Sequence, residues 1–289
     1  MVLIYEFAAN EHPQNVSKLL WQQRISHRIV QAGGHDQLWI LDPSDSEQAL
    51  NILQLWQYDP DVTLSANDSP KVKKSRPNSF QDWHKSPMTL ALLILTSVVG
   101  LVTGLGDYLD IVEWFTISSF DIIGNRIQFD PLTEVLAKGE YWRLITPALI
   151  HFGAAHLIFN ALWVWEVGRK IERLMGSLVW LIFAVFVMIA SNVGQYLING
   201  YPLFGGLSGL VYGLVGFAWV MPVLIRGWPV IISKPLMAFF IVWLLIGYTD
   251  VLSVFGLGSV ANEAHLLGLV SGLAFAGFYS VIWKLFKKY

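Results

Sequence analysis

Residues 205–226 read GGLSGLVYGLVGFAWVMPVLIR. From Ser208 to Ile225 there is no Asp, Glu, Lys, Arg or His, and Arg226 then ends the run. A stretch this apolar, closed by a base, reads as a membrane-spanning helix. Gly205 and Gly206 precede it, so Ser208 stands where irregular backbone turns into helix. Ser208 lies 18 residues from Arg226, about 27 Å at ~1.5 Å per residue. The same ruler puts His265, 19 residues before Lys284, at about 28 Å. Measured from bases at the same membrane face, serine and histidine share one depth. That coincidence points to a Ser–His pair.

The rest of the chain supports a membrane setting. Of 289 residues 54% are hydrophobic and only 14% charged, against about 25% in an average soluble domain. Residues 1–87 hold 18 of the 40 charges. A net charge of −2 excludes a nucleic-acid binder driven by positive charge, and the apolar runs exclude a disordered chain or an ordinary soluble enzyme. With no cysteine, neither a disulfide framework, a thiolate zinc site nor a cysteine nucleophile is available. The N-terminus lacks the basic and apolar regions of a signal peptide, so the first residues are expected to stay in the compartment of synthesis.

Six apolar stretches follow residue 87: 88–106, 154–167, 178–198, 208–225, 236–247 and 261–283. The fifth is short for a span of about 20 residues. With the N-terminus inside, thirteen bases flank the inner ends and only Arg126, Lys138 and Arg143 lie outside. Omitting the fifth stretch would strand the C-terminal lysines outside, so the pattern predicts six spans with both termini cytoplasmic. Residues 107–150 form a long outer loop, rich in aromatic side chains and expected to lie in the membrane interface.

Before the spans, residues 1–66 alternate strand and helix signals in β-α-β-β-α order, a small α+β domain expected to be cytoplasmic. Its second helix is expected to bury Ala49, Leu50, Leu53 and Trp56. His12, His27 and His35 lie on separate elements and read as solvent-facing or structural. Residues 67–87 are a polar linker with five bases, read as an anchor before the first span. Residues 88–289 form the membrane domain.

Polar groups inside spans are expensive and carry a functional hypothesis by default. His156 and Asn160 are i,i+4 on one helix face and can both donate hydrogen bonds to a carbonyl oxygen as it gains negative charge. The backbone N–H of Ser208 is a third donor, at a helix N-terminus. Tyr212, one turn after Ser208, is placed to stack on the His265 imidazole. His151 is five residues from His156, about 140° around a helix, and reads as a structural hydrogen-bonder tying down the outer loop. Ser191, Asn192 and Gln195 read as helix-packing groups. Gly209, Gly213 and Gly216 on one span, and Gly268, Gly272 and Ala276 on another, allow close approach of two helices. No H-E-x-x-H zinc motif is present and the spans lack an aspartate pair, so the expected site has no metal and no cofactor, and a dyad without a carboxylate.

Gly206-Leu207-Ser208-Gly209 with Tyr212 resembles the G-x-S-G motif of rhomboid intramembrane serine proteases. The run from His151 through His156 to Asn160 is similar to their second-span signature, and Ala264-His265-Leu266-Leu267-Gly268 to their last-span histidine motif. The stretch from Glu140 to Thr146 resembles the loop motif before the second span, and the N-terminal extension resembles the cytoplasmic domain of bacterial GlpG-type members. The resemblance implies an all-α polytopic bundle of six transmembrane helices behind a small α+β domain, in a bacterial inner membrane, with the site opening toward the periplasm. It implies Ser208 as nucleophile and His265 as general base. His156, Asn160 and the Ser208 backbone would form the oxyanion hole, supported by Tyr212, Gly206, Gly209 and His151. Its implied partners are transmembrane protein substrates and the bilayer, with no nucleic acid, and small residues at the cleavage site. It also implies a gate formed by the short fifth span and segment 248–260, which is longer here than the family pattern. The rival expectation is an inactive rhomboid-like binding or quality-control protein that uses the same polar cluster.

Overall fold

The computed structural model describes residues 1–8, 11–58, 83–124, 126–249 and 261–286. The chain divides into two compact units, Met1–Asn78 and Ser79–Tyr289. Most of the linker, residues 250–260 of the segment expected to act as a gate, Lys287 and Lys288 lie outside the described residues.

In the first unit, β1 (Val2–Glu6), α1 (Pro13–Gln22), β2 (His27–Ala32), β3 (His35–Ile40) and α2 (Ser46–Tyr58) follow the expected order. The sheet runs β1-β3-β2, antiparallel throughout. The β2–β3 hairpin turns at Gly33 and Gly34, whose φ values of 62° and 86° are left-handed and favour glycine. Proline opens α1, where its missing N–H costs nothing. The α2 helix buries Ala49, Ile52, Leu53 and Trp56 against the sheet. Leu50 is instead 42% exposed. At 3.6 residues per turn, Ile52 shares the stripe of Ala49 and Leu50 sits about 100° off it.

The second unit comprises α3 (Pro87–Val102), α4 (Leu109–Val112), β4 (Phe120–Ile123), β5 (Arg126–Phe129), α5 (Leu132–Ala137), α6 (Ala154–Trp163), α7 (Arg169–Met175), α8 (Ser177–Asn199), α9 (Ser208–Leu224), α10 (Lys234–Gly247) and α11 (Asn262–Phe286). Each of the six apolar stretches carries a helix. Among the described residues, however, only α8 and α11 are long and apolar enough to cross a membrane unaided, while α3, α9 and α10 are shorter apolar helices. The second stretch is broken because α6 passes through a π turn at Val164–Gly168 before α7. The fourth begins at Ser208 because the chain just ahead of it is irregular.

Helix α9 is the centre of this unit, buried without interruption from Gly209 to Ala218. Its glycines receive α11 directly. A methyl group on Gly268 would run into the carbonyl oxygen of Gly209, and one on Gly272 into that of Gly213. Backbone thus rests on backbone, the close approach that small residues permit. At the other end of the bundle the buried Glu172 caps the first turn of α3. Its carboxylate accepts the N–H groups of Met88 at 2.9 Å and Thr89 at 2.8 Å, besides hydroxyls of Thr89 and Ser177 at 2.6 and 2.7 Å.

The outer loop is a built structure. Arg143, only 2% exposed, donates to the Glu113 carboxylate at 2.7 Å, to the Thr116 carbonyl at 3.1 Å, and to the Glu140 carboxylate and the Glu113 carbonyl. Arg143, one of the three bases counted outside, is therefore a buried structural cation. The Ser119 hydroxyl donates to Asp130 at 2.7 Å and holds that carboxyl below its ordinary pKa.

Candidate active site

Two glycines shape the approach to α9. Gly205 packs where any side chain would strike Ile150 and the Pro147 carbonyl. Gly206 has φ 121° and donates its N–H to the Pro147 carbonyl at 3.1 Å. This pins the backbone ahead of Ser208 to the segment before α6, and α9 starts at Ser208 itself.

Helix α11 brings His265 to the same point. Nε2 of His265 lies 2.8 Å from the Ser208 hydroxyl oxygen, a hydrogen bond between residues 57 apart in sequence. The Gly209–Gly268 contact lies one residue beyond Ser208 and three beyond His265, so the helix crossing itself sets this distance. Tyr212 stacks on the imidazole with centroids 4.8 Å apart and planes inclined by 26°. Its hydroxyl donates to the Phe240 carbonyl of α10 at 3.0 Å. Nδ1 of His265 is buried and has no hydrogen-bond partner among the described residues.

His156 and Asn160 approach from α6. A methyl group on Gly206 would stand 2.7 Å from Nε2 of His156 and 3.4 Å from Nδ2 of Asn160. Both nitrogens therefore converge above the backbone two residues before Ser208, in space that only glycine leaves open. His151 does not lie on α6, which starts at Ala154, so the 140° helical separation from His156 does not hold. The two rings are 4.8 Å apart. Nor does His151 serve the outer loop alone: it bonds the Leu149 carbonyl, the Asn160 amide and the Leu207 N–H.

The α8 polar residues do more than pack helices. Gln195 accepts the N–H of Ala264 through Oε1 at 2.9 Å, capping the first turn of α11 next to His265. Asn192 donates to the carbonyls of Leu144 and Ile145 at 3.0 and 3.2 Å, anchoring the outer loop. Both are buried polar groups in an apolar helix, and that is the signal that marks them. Their partners lie 47 to 69 residues away, beyond any local pattern. Among the described residues, no three His, Asp or Glu side chains are grouped as a metal site.

Comparison with known proteins agrees with the motif resemblance. The Rhomboid domain family matches residues 138–281. The chain is 31% identical over 267 residues to a rhomboid protease GlpG of Photorhabdus laumondii, spanning 88% of this chain and 86% of that one. It is 30% identical over 266 residues to the Serratia proteamaculans rhomboid protease GlpG, with 88% of each chain covered. The Pectobacterium atrosepticum rhomboid protease GlpG is 27% identical over 272 residues, with 91% and 90% covered. Identity of this level along nearly the whole length shows that the chain belongs to the rhomboid family and is a serine protease of that family.

Proposed function

We propose that this protein is an intramembrane endopeptidase that hydrolyses peptide bonds of transmembrane protein substrates through a Ser208–His265 dyad. The observation that carries this reading is the 2.8 Å contact between Nε2 of His265 and the Ser208 hydroxyl. As the Ser208 oxygen attacks the scissile carbonyl carbon, His265 takes its proton on Nε2. The carbonyl oxygen becomes negative and is received by His156, Asn160 and the Ser208 backbone N–H. Collapse breaks the C–N bond, and His265 returns the proton to the leaving amine. Water then attacks the acyl-enzyme by the same route in reverse order. In this reading the Tyr212 stack keeps the imidazole facing Ser208, and no cofactor takes part. A surrounding of apolar helices strengthens each of these electrostatic contacts.

The topology that fits this chemistry has six spans in a bacterial inner membrane, both termini cytoplasmic and the site opening toward the periplasm. Residues 1–66 would be a cytoplasmic domain, 67–87 a basic linker and 88–289 the protease domain. Because the chain has no native cysteine, single introduced cysteines report sidedness without background. A membrane-impermeant maleimide applied from the periplasm should label position 138 and spare position 226, and the reverse pattern would reject this topology.

The chemistry is tested with a serine-directed fluorophosphonate and a transmembrane test substrate. Wild-type protein should be labelled at Ser208 and cleave the substrate, and Ser208→Ala should do neither. Undiminished cleavage by Ser208→Ala would sink the dyad.

A further inference from the structure

His151 is fully buried, and each of its ring nitrogens has partners. Nδ1 lies 3.2 Å from the Leu149 carbonyl, while Nε2 lies 3.0 Å from Nδ2 of Asn160 and 3.4 Å from the backbone nitrogen of Leu207. Two of these partners have fixed roles. The Leu149 carbonyl can only accept, and the Leu207 N–H can only donate. The ring must therefore carry its proton on Nδ1 and keep a lone pair on Nε2. A group bonded to that lone pair must be a donor, so it is the amide nitrogen of Asn160, not its oxygen, that faces His151. The second N–H of the same amide remains available on the Gly206 side, where Nδ2 stands 3.4 Å from the position of a Gly206 methyl group. The reversed amide would set two lone pairs against each other and turn an acceptor toward a developing negative charge.

We propose that His151 is a positioning residue for the oxyanion pocket, its Nε2 acting as a shared acceptor that turns the Asn160 amide N–H toward the reacting carbonyl and holds the Leu207 backbone ahead of Ser208. This rests on the reading of Asn160 as an oxyanion donor given above. One neutral ring thus couples α6 to the start of α9, and it does so without touching substrate.

The test uses the full-length enzyme in bicelles at neutral pH. With 15N-labelled histidine, and with the His151 signals identified by their loss in His151→Gln, wild-type protein should show His151 protonated on Nδ1 and bare on Nε2. A proton on Nε2 would overturn the proposal, and this measurement requires no variant to be active. A double-mutant cycle provides the second test. Asn160→Ala should lower kcat by roughly 100-fold, as loss of an oxyanion donor does, with little change in KM. His151→Leu should lower kcat by about tenfold or more, and His151→Gln, which restores an acceptor, should recover part of that loss. In the Asn160→Ala background, His151→Leu should cost several-fold less than in wild type. Equal costs in both backgrounds would overturn the positioning role and leave the oxyanion reading standing. Wild-type kcat in Asn160→Ala would overturn both. Should His151→Leu fail to fold, the wild-type tautomer and the His151→Gln cycle decide.

Discussion

His151 and His265 are both buried histidines within one small region, yet their surroundings differ. Every ring nitrogen of His151 is bonded, two of its three partners being backbone groups. His265 bonds one side chain through Nε2 and leaves Nδ1 without a partner among the described residues. It is held by its ring face against Tyr212 and by the helix beneath it. A fully bonded imidazole is locked in one tautomer, which suits a group that orients others. An imidazole bonded at a single nitrogen can exchange a proton there, which suits a general base. The two sides of the site are also built differently. The Ser208–His265 contact rests on glycine backbones in contact, whereas the Asn160 side rests on side-chain hydrogen bonds.

The largest expected effect breaks the His265 side at its centre. His265→Ala should abolish cleavage of a transmembrane test substrate, a loss of at least ~1000-fold, and should also abolish fluorophosphonate labelling of Ser208. Next comes the backbone contact. Gly268→Val would push a side chain into the Gly209 carbonyl and should cost both activity and several degrees of melting temperature, as core overpacking does. Gly277→Ala on the same helix meets nothing within 4 Å and should leave activity and melting unchanged or slightly improved. If the two variants behave alike, the glycine contact does not position the dyad.

A smaller effect tests the ring-face support. Tyr212→Phe keeps the stack on His265 and loses only the hydrogen bond to the Phe240 carbonyl, worth about 1 kcal/mol. Turnover should fall a few-fold, and Tyr212→Leu, which removes the stack, should lower it much further. Equal losses would assign the role of Tyr212 to its hydroxyl. The smallest effect lies away from both histidines. The Ser119 hydroxyl keeps the Asp130 carboxyl below its ordinary pKa, so this contact stabilises the fold above the unfolded carboxylate range and is lost as pH falls through the folded value. Ser119→Ala should reduce the difference between melting temperatures at pH 7 and pH 3 slightly and leave turnover at neutral pH unaltered. A wild-type difference in that variant would assign the acid sensitivity to other groups.

Local patterns were informative where one stretch of chain contains its own physics. The strands and helices of the first unit follow from periodicity and turn residues, and only the placement of Leu50 needed correcting. The i,i+4 pair of His156 and Asn160 was legible because a helix face is set by its rise and twist. Arg143 was counted only as one of three outer-loop bases, and its burial was not foreseen, since no local signal tells a buried cation from a solvated one. Its partners Glu113 and Thr116 lie 27 to 30 residues away. Gln195 was read as a packing group for the same reason.

By itself the sequence determined the membrane setting and the chemical inventory and led to the expectation of a Ser208–His265 pair, because hydrophobicity and helical rise act residue by residue along the chain. It also carried the motifs that mark the rhomboid family. Only the tertiary structure decided the 2.8 Å contact between Ser208 and His265, the convergence of His156 and Asn160 over Gly206, and the three-way bonding of His151. Those depend on how closely separate helices approach and on which buried donor finds which acceptor. Both are settled by packing between distant segments, where each polar group removed from water must find its partner in the fold.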